Sequence, residues 1–210
     1  MKFILKLYPR KVRESYSQLL MYCDIVTPIE DYLTRVMIIS IVSAIVFSLT
    51  FTMVFGFSFL LMLLIIFFLT QIIVHSWLSL SADGRAKFVE DLLPDLLQLM
   101  ASNLRAGHTI DKALLLSARP EFGKFKDEIN RLGKDVATGT DFGDALFKLS
   151  KRVKSDKLTK AVQLIVAGQK SGGGLVDLLS QSASNLRQQR TIDERIRSNV
   201  FVYVIFIFAA

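Results

Sequence analysis

A chain of 210 residues that is 51% apolar, with a mean hydropathy of +0.41, is too apolar for an ordinary soluble domain. Its 26 basic residues outnumber 19 acidic ones, for a net charge of +7. The lone Cys23 excludes a disulfide framework and a cysteine-based metal site.

Residues 1–35 predict a cytoplasmic helical segment. Val12, Tyr16, Leu19, Leu20, Cys23 and Val26 fall on one apolar stripe at helical spacing. Thr27-Pro28-Ile29-Glu30 reads as a capping box with proline at the first helical position, so a second helix is expected to begin there. Lys6 interrupts the early apolar stretch Phe3–Tyr8, and no signal peptide is expected.

From Val36 to Ala82 there is no Asp, Glu, Lys or Arg. One helix over that run would be roughly 70 Å long, against a hydrocarbon core of about 30 Å. The run therefore predicts a transmembrane hairpin over 36–78, with spans near 36–55 and 57–75 and its tip at Gly56. Trp77 falls at the interface, where aromatic side chains collect. All 26 basic residues lie outside the spans, six in residues 1–35 and twenty between Arg85 and Arg197. Both flanks of the hairpin are thus expected to be cytoplasmic.

Asp83-Gly84 is expected to break or bend the chain before a helical bundle over 79–197. Six helices are predicted there: 92–106, 110–118, 121–138, 142–152, 156–170 and one from Leu175 onward without a breaker. Their boundaries repeat. Ala106-Gly107-His108-Thr109, Thr138-Gly139-Thr140-Asp141 and Ser171-Gly172-Gly173-Gly174 start about 32–33 residues apart, each followed by an acid and then a leucine. In each, a glycine (Gly107, Gly139, Gly172) suits a left-handed helix end. An N-cap then follows at Thr109, Asp141 or Gly174, with Gly173 part of the third joint. Ser155 is a further N-cap. The apolar run from Asn199 predicts the start of a third span over 198–210, of only about a dozen residues, so the chain is expected to be cut off inside a membrane helix.

The function classes thin out quickly. The bundle has twenty basic and fifteen acidic residues over 79–197, spread along helices, so nucleic acid is not an expected partner. His75 and His108 lack surrounding ligands at metal spacing, and no acid–base or nucleophile set converges, so no catalytic, cofactor or metal site is predicted. Gln169-Lys170-Ser171 precedes its glycines, the wrong order for a phosphate cradle. Glu90, Asp91, Asp95 and Asp127-Glu128 read as solvated faces. Arg187, Arg190, Arg195 and Arg197 form a basic collar, a candidate contact for anionic lipid or an acidic partner. The fold class is all-α: a polytopic membrane protein with a cytoplasmic six-helix bundle between transmembrane helices.

Several motifs carry a family likeness. They are Leu93-Pro94-Asp95-Leu96-Leu97, Asn103-Leu104-Arg105-Ala106-Gly107, Ala118-Arg119-Pro120-Glu121-Phe122-Gly123, Thr138-Gly139 with Ala145-Leu146, and Ser171-Gly172-Gly173 with Leu178-Leu179 and Arg187. In this order, between membrane helices, they resemble the F-type inner-membrane platform proteins of type II secretion and type IV pilus systems. The likeness leans toward platforms of archaeal pili and archaella and of tight-adherence pili. It implies a non-enzymatic plasma-membrane scaffold whose bundle engages a hexameric secretion ATPase and whose membrane part receives pilin-like subunits. Self-association into a homo-oligomer is also implied. Members normally continue through further membrane helices. The alternatives are a transporter or channel subunit with a helical regulatory domain, which the charge-free spans disfavour, and a membrane-tethered enzyme.

Overall fold

The structure, a computed structural model, describes residues 10–209 apart from 24, 26, 57, 172 and 173. Every regular element among the described residues is helical. In chain order they are α1 (Arg10–Tyr22), α2 (Ile29–Phe55), α3 (Phe59–Arg105), α4 (Ile110–Leu116), a 3-10 turn (Pro120–Phe122), α5 (Lys124–Ala137), α6 (Phe142–Lys151), α7 (Asp156–Ser171) and α8 (Leu175–Ala209). The chain divides into two compact units, Met1–Arg85 and Ala86–Ala210.

In the first unit Gly56 ends α2 in the left-handed conformation (φ 68°), and its N–H bonds the Thr52 carbonyl at 3.0 Å. The most apolar windows of α2 and α3 have mean hydropathies of 2.3 and 2.4, and none of the α3 window is buried. Ile39, Phe47, Leu60, Phe68 and Ile72 all lie exposed. A core helix of a soluble protein hides such side chains, so these two helices are long and bare enough to cross a bilayer. One face of α2 does face protein: Val36, Ser40, Ala44 and Ser48 are buried at four-residue intervals. Ser40 accepts from Gln71 Nε2 at 3.2 Å, and the Ser43 and Thr70 hydroxyls lie 3.3 Å apart. Hydrogen bonds of this kind are those that hold helices together where a lipid surrounding would supply no hydrophobic drive.

The α1 stripe folds as its spacing predicts, with Tyr16, Leu19 and Leu20 packed with Leu33, Leu78 and Ala82. Val26, placed on the same stripe by its spacing, lies outside the described residues. The capping box does not form. Helix α2 starts at Ile29, Pro28 stands at the N-cap with no side-chain bond, and Pro28 supplies the carbonyl for Asp31 and Tyr32. The expected break at Asp83-Gly84 does not occur, because α3 runs through it as one helix. A glycine in an exposed helix costs only about 1 kcal/mol. Leu78, Ala82, Ala86, Val89 and Leu93 are buried at helical spacing on both sides of it, which outweighs that cost.

The second unit is the bundle. Its core draws Leu93, Leu97 and Met100 from α3, Leu114 from α4, and Phe125, Ile129 and Leu132 from α5. Leu146, Val162 and Leu179 add α6, α7 and α8. From α4 to α8 each helix packs on the next, as joints this short require. The third bundle helix expected from residue 121 is divided: Pro120–Phe122 forms the 3-10 turn and Gly123 (φ 51°) separates it from α5.

Two glycines within helices have opposite surroundings. A Cβ on Gly168 would meet Leu175 Cγ at 3.2 Å and its Cδ1 closer still, whereas one on Gly84 would meet nothing within 4 Å. Gly84→Ala is therefore expected to stabilise the protein by up to about 1 kcal/mol. Gly168→Ala is expected to lower the midpoint of thermal unfolding, because overpacking of about 1–3 kcal/mol exceeds the helix gain. Paired thermal melts check both signs.

Candidate functional site

The first two of the repeated joints fold alike. Gly107 (φ 88°) donates to the Leu104 carbonyl at 2.9 Å while His108 donates to the Asn103 carbonyl at 3.2 Å. Gly139 (φ 98°) donates to Val136 and Thr140 to Asp135, both at 3.0 Å. Both are the Schellman pairing, which needs a left-handed residue where only glycine sits without strain. Gly172 and Gly173 lie outside the described residues. Gly174 (φ 77°) immediately precedes α8, and its carbonyl accepts from Leu178 at 3.0 Å.

The caps differ in chemistry. Asp141 Oδ2 accepts the Asp144 N–H at 3.2 Å. Ser155 Oγ accepts the Leu158 N–H at 3.1 Å. Thr109 occupies the N-cap position of α4 but makes no cap bond. Its hydroxyl instead donates to Asp111 and holds that carboxyl below the usual carboxylate range. Thr109, Ile110 and Asp111 meet Val136, Phe142 and Gln169 around a depression of about 380 Å³, so the first two joints lie close together beside α7. Asn103 clasps the first of them, donating to the Ala113 carbonyl and to Ser117 Oγ, both at 3.1 Å.

The collar arginines are not equivalent. Arg187 pairs with Asp95 at 2.9 Å. Arg190 lies 3.0 Å from Glu194 and 3.9 Å from Asp91, and those carboxylates raise its pKa further above the ordinary arginine value. Arg195 is exposed, and the side chain of Arg197 lies outside the described residues. Glu90 accepts from Ser155 Oγ at 2.8 Å and pairs with Lys157 at 3.3 Å. A groove of about 400 Å³ runs among these groups.

One expected solvated face is wrong. Glu128 is only 5% exposed and accepts from Arg152 Nε at 2.6 Å, joining α5 to the end of α6. The signal was present: Glu128 shares the buried face of Phe125, Ile129 and Leu132. The partner 24 residues away was not readable from spacing. The role of Asn103 was missed for the same reason.

Among the described residues no three His, Cys, Asp or Glu side chains gather as a metal site. His75 instead meets the Tyr16 ring edge-on at 5.1 Å. Residues 161–171 lie in α7, a helix where a phosphate cradle follows a strand. In comparison with known proteins, the family model of type II secretion system protein F matches residues 96–210. No curated protein and no solved structure matches the chain.

Removing one partner of the buried pair strands the other charge. Glu128→Ala is expected to cost about 3–5 kcal/mol, and Glu128→Met with Arg152→Met much less. Denaturant unfolding of the three proteins measures this. The lowered Asp111 pKa stabilises the fold above the ordinary carboxylate pKa and is lost as pH falls through the folded value. Thr109→Val should reduce that acid-side loss, read from the unfolding midpoint between about pH 5 and pH 2.

Proposed function

Because the chain belongs to the type II secretion system protein F family, we propose that it is the membrane platform of a type IV pilus, archaellum or type II secretion-like machine. In this reading the bundle couples a cytoplasmic hexameric ATPase to assembly or export of pilin-like subunits. Proteins of this family work in a membrane with secretion ATPases and pilin-like subunits. The motifs from Leu93 to Arg187 favour an archaeal or tight-adherence system. The protein has no chemistry of its own in this account and acts as a homo-oligomeric scaffold in the plasma membrane.

The observation that carries the reading is α8. It is a single helix of 35 residues, about 50 Å long. Leu175, Leu179 and Ala183 are fixed in the bundle core. Its far end, from Val200 on, is apolar with Val200, Phe201, Tyr203, Phe206 and Ile207 exposed. A helix of that kind carries a tilt or rotation of the bundle into the bilayer. Basic residues flanking the hairpin on both sides support a cytoplasmic N-terminus and bundle over 1–35 and 79–197, with spans over 36–78 and from 198.

The reading assigns Gly107, Thr109, Gly139, Asp141, Gly172 and Gly173 to shaping the joints. Arg195 and Arg197 are left as contacts for anionic lipid or an acidic partner, since Arg187 and Arg190 already engage carboxylates.

Two glycines inserted between Gln188 and Gln189 of the full chain test it. The variant is expected to co-purify with the secretion ATPase as the parent does, yet to lose filament assembly or export. Intact assembly, or a parent protein that captures no ATPase, overturns the proposal.

A further inference from the structure

We propose that α8, beyond its last core residue, is held against α3 by an electrostatic latch that opens while the bundle core stays folded. Two kinds of contact alternate along α8. As far as Leu186 the helix is attached by apolar packing, with Leu175, Leu179 and Ala183 buried and Val176 and Leu186 packed against the core. From Arg187 to Ile196 every residue is exposed. The ties to α3 in that stretch are charges.

Those charges are written as an antiparallel ladder. Helix α3 presents Asp95, Asp91 and Lys87 at four-residue intervals, and α8 presents Arg187, Arg190 and Glu194 at three- and four-residue intervals, so each set shares one face. Arg187 meets Asp95 at 2.9 Å and Arg190 faces Asp91 at 3.9 Å. Lys87 and Glu194 line the same 400 Å³ groove, together with Pro94, Lys157 and Asp193. The sign reverses at this third position on both helices. Sliding α8 by one turn would set Glu194 against Asp91, so the pattern fixes register as well as attachment.

The latch is also built to release. The Arg187 and Asp95 side chains are 54% and 60% exposed, so water and salt compete for both. Arg190 is nearer to Glu194 on its own helix than to Asp91, so it keeps a carboxylate when the helices part. No buried charge is stranded by opening. Pro94, in the groove wall, also deprives α3 of one backbone bond at this level.

The latch itself is a property of the bundle. Its use, giving α8 two angles where it leaves the core, rests on the platform reading. The test uses the full chain in lipid nanodiscs, in a Cys23→Ser background, with spin labels on Ser102→Cys and Thr191→Cys. At low salt the interlabel distances are expected to form one narrow, short distribution. Raising salt to about 1 M, where the screening length is about 3 Å, shifts it to longer distances. Arg187→Glu does the same at low salt, and Asp95→Arg with Arg187→Asp restores the short distribution. The thermal midpoint of the bundle stays unchanged throughout. A distribution indifferent to salt and to Arg187→Glu overturns the latch, as does a shift accompanied by loss of the bundle melt. The measurement needs neither ATPase nor filament, so its failure is separable from failure of the platform reading.

Discussion

A backbone that is to cross hydrocarbon must satisfy its own hydrogen bonds, and here α3, a helix long and apolar enough to do so, continues into the bundle without a joint. Helix α3 extends from Phe59 to Arg105 and α8 from Leu175 to Ala209, each holding an apolar end and an end that lines a core. The boundary between the two compact units falls within α3. The first and last helices of the bundle are the same helices that carry exposed Leu60, Phe68, Phe201 and Phe206.

Two kinds of interaction divide the remaining work. Apolar packing fixes α4 to α7 between those long helices, and the glycine joints reverse the chain in few residues with their backbone groups satisfied. Polar interactions sit where packing stops. Ser40 with Gln71 and Ser43 with Thr70 tie α2 to α3, whose other faces are largely exposed apolar side chains. Glu128 with Arg152 ties α5 to the end of α6 out of water, and the exposed Arg187 and Arg190 tie α8 to α3 in water. The buried pair is costly to break and the exposed ones are cheap, which separates a rigid core from a movable flank.

What was legible in the sequence was whatever repeats locally. The stripes of α1, α5, α6 and α7, the tip at Gly56, and the joints at Gly107 and Gly139 depend on neighbours within a turn or two. What was not legible depends on distant partners. Thr27 and Asp83-Gly84 carry the local marks of a cap and a break, but packed positions on either side of Gly84 keep α3 helical. Glu128 reads as a surface acid until Arg152 is brought to it, and Arg187 reads as a free cation until Asp95, 92 residues earlier, meets it.

The continuity of α3 bears most weight, because one helix then holds both an exposed apolar end and an end that lines the bundle core. Hydrogen exchange on the full chain in nanodiscs, resolved over residues 78–92, measures it directly. Protection is expected to run without a gap through Asp83, Gly84 and Arg85 to the amides near the buried Val89. Rapid exchange confined to residues 83–85, flanked by protected amides, would contradict it.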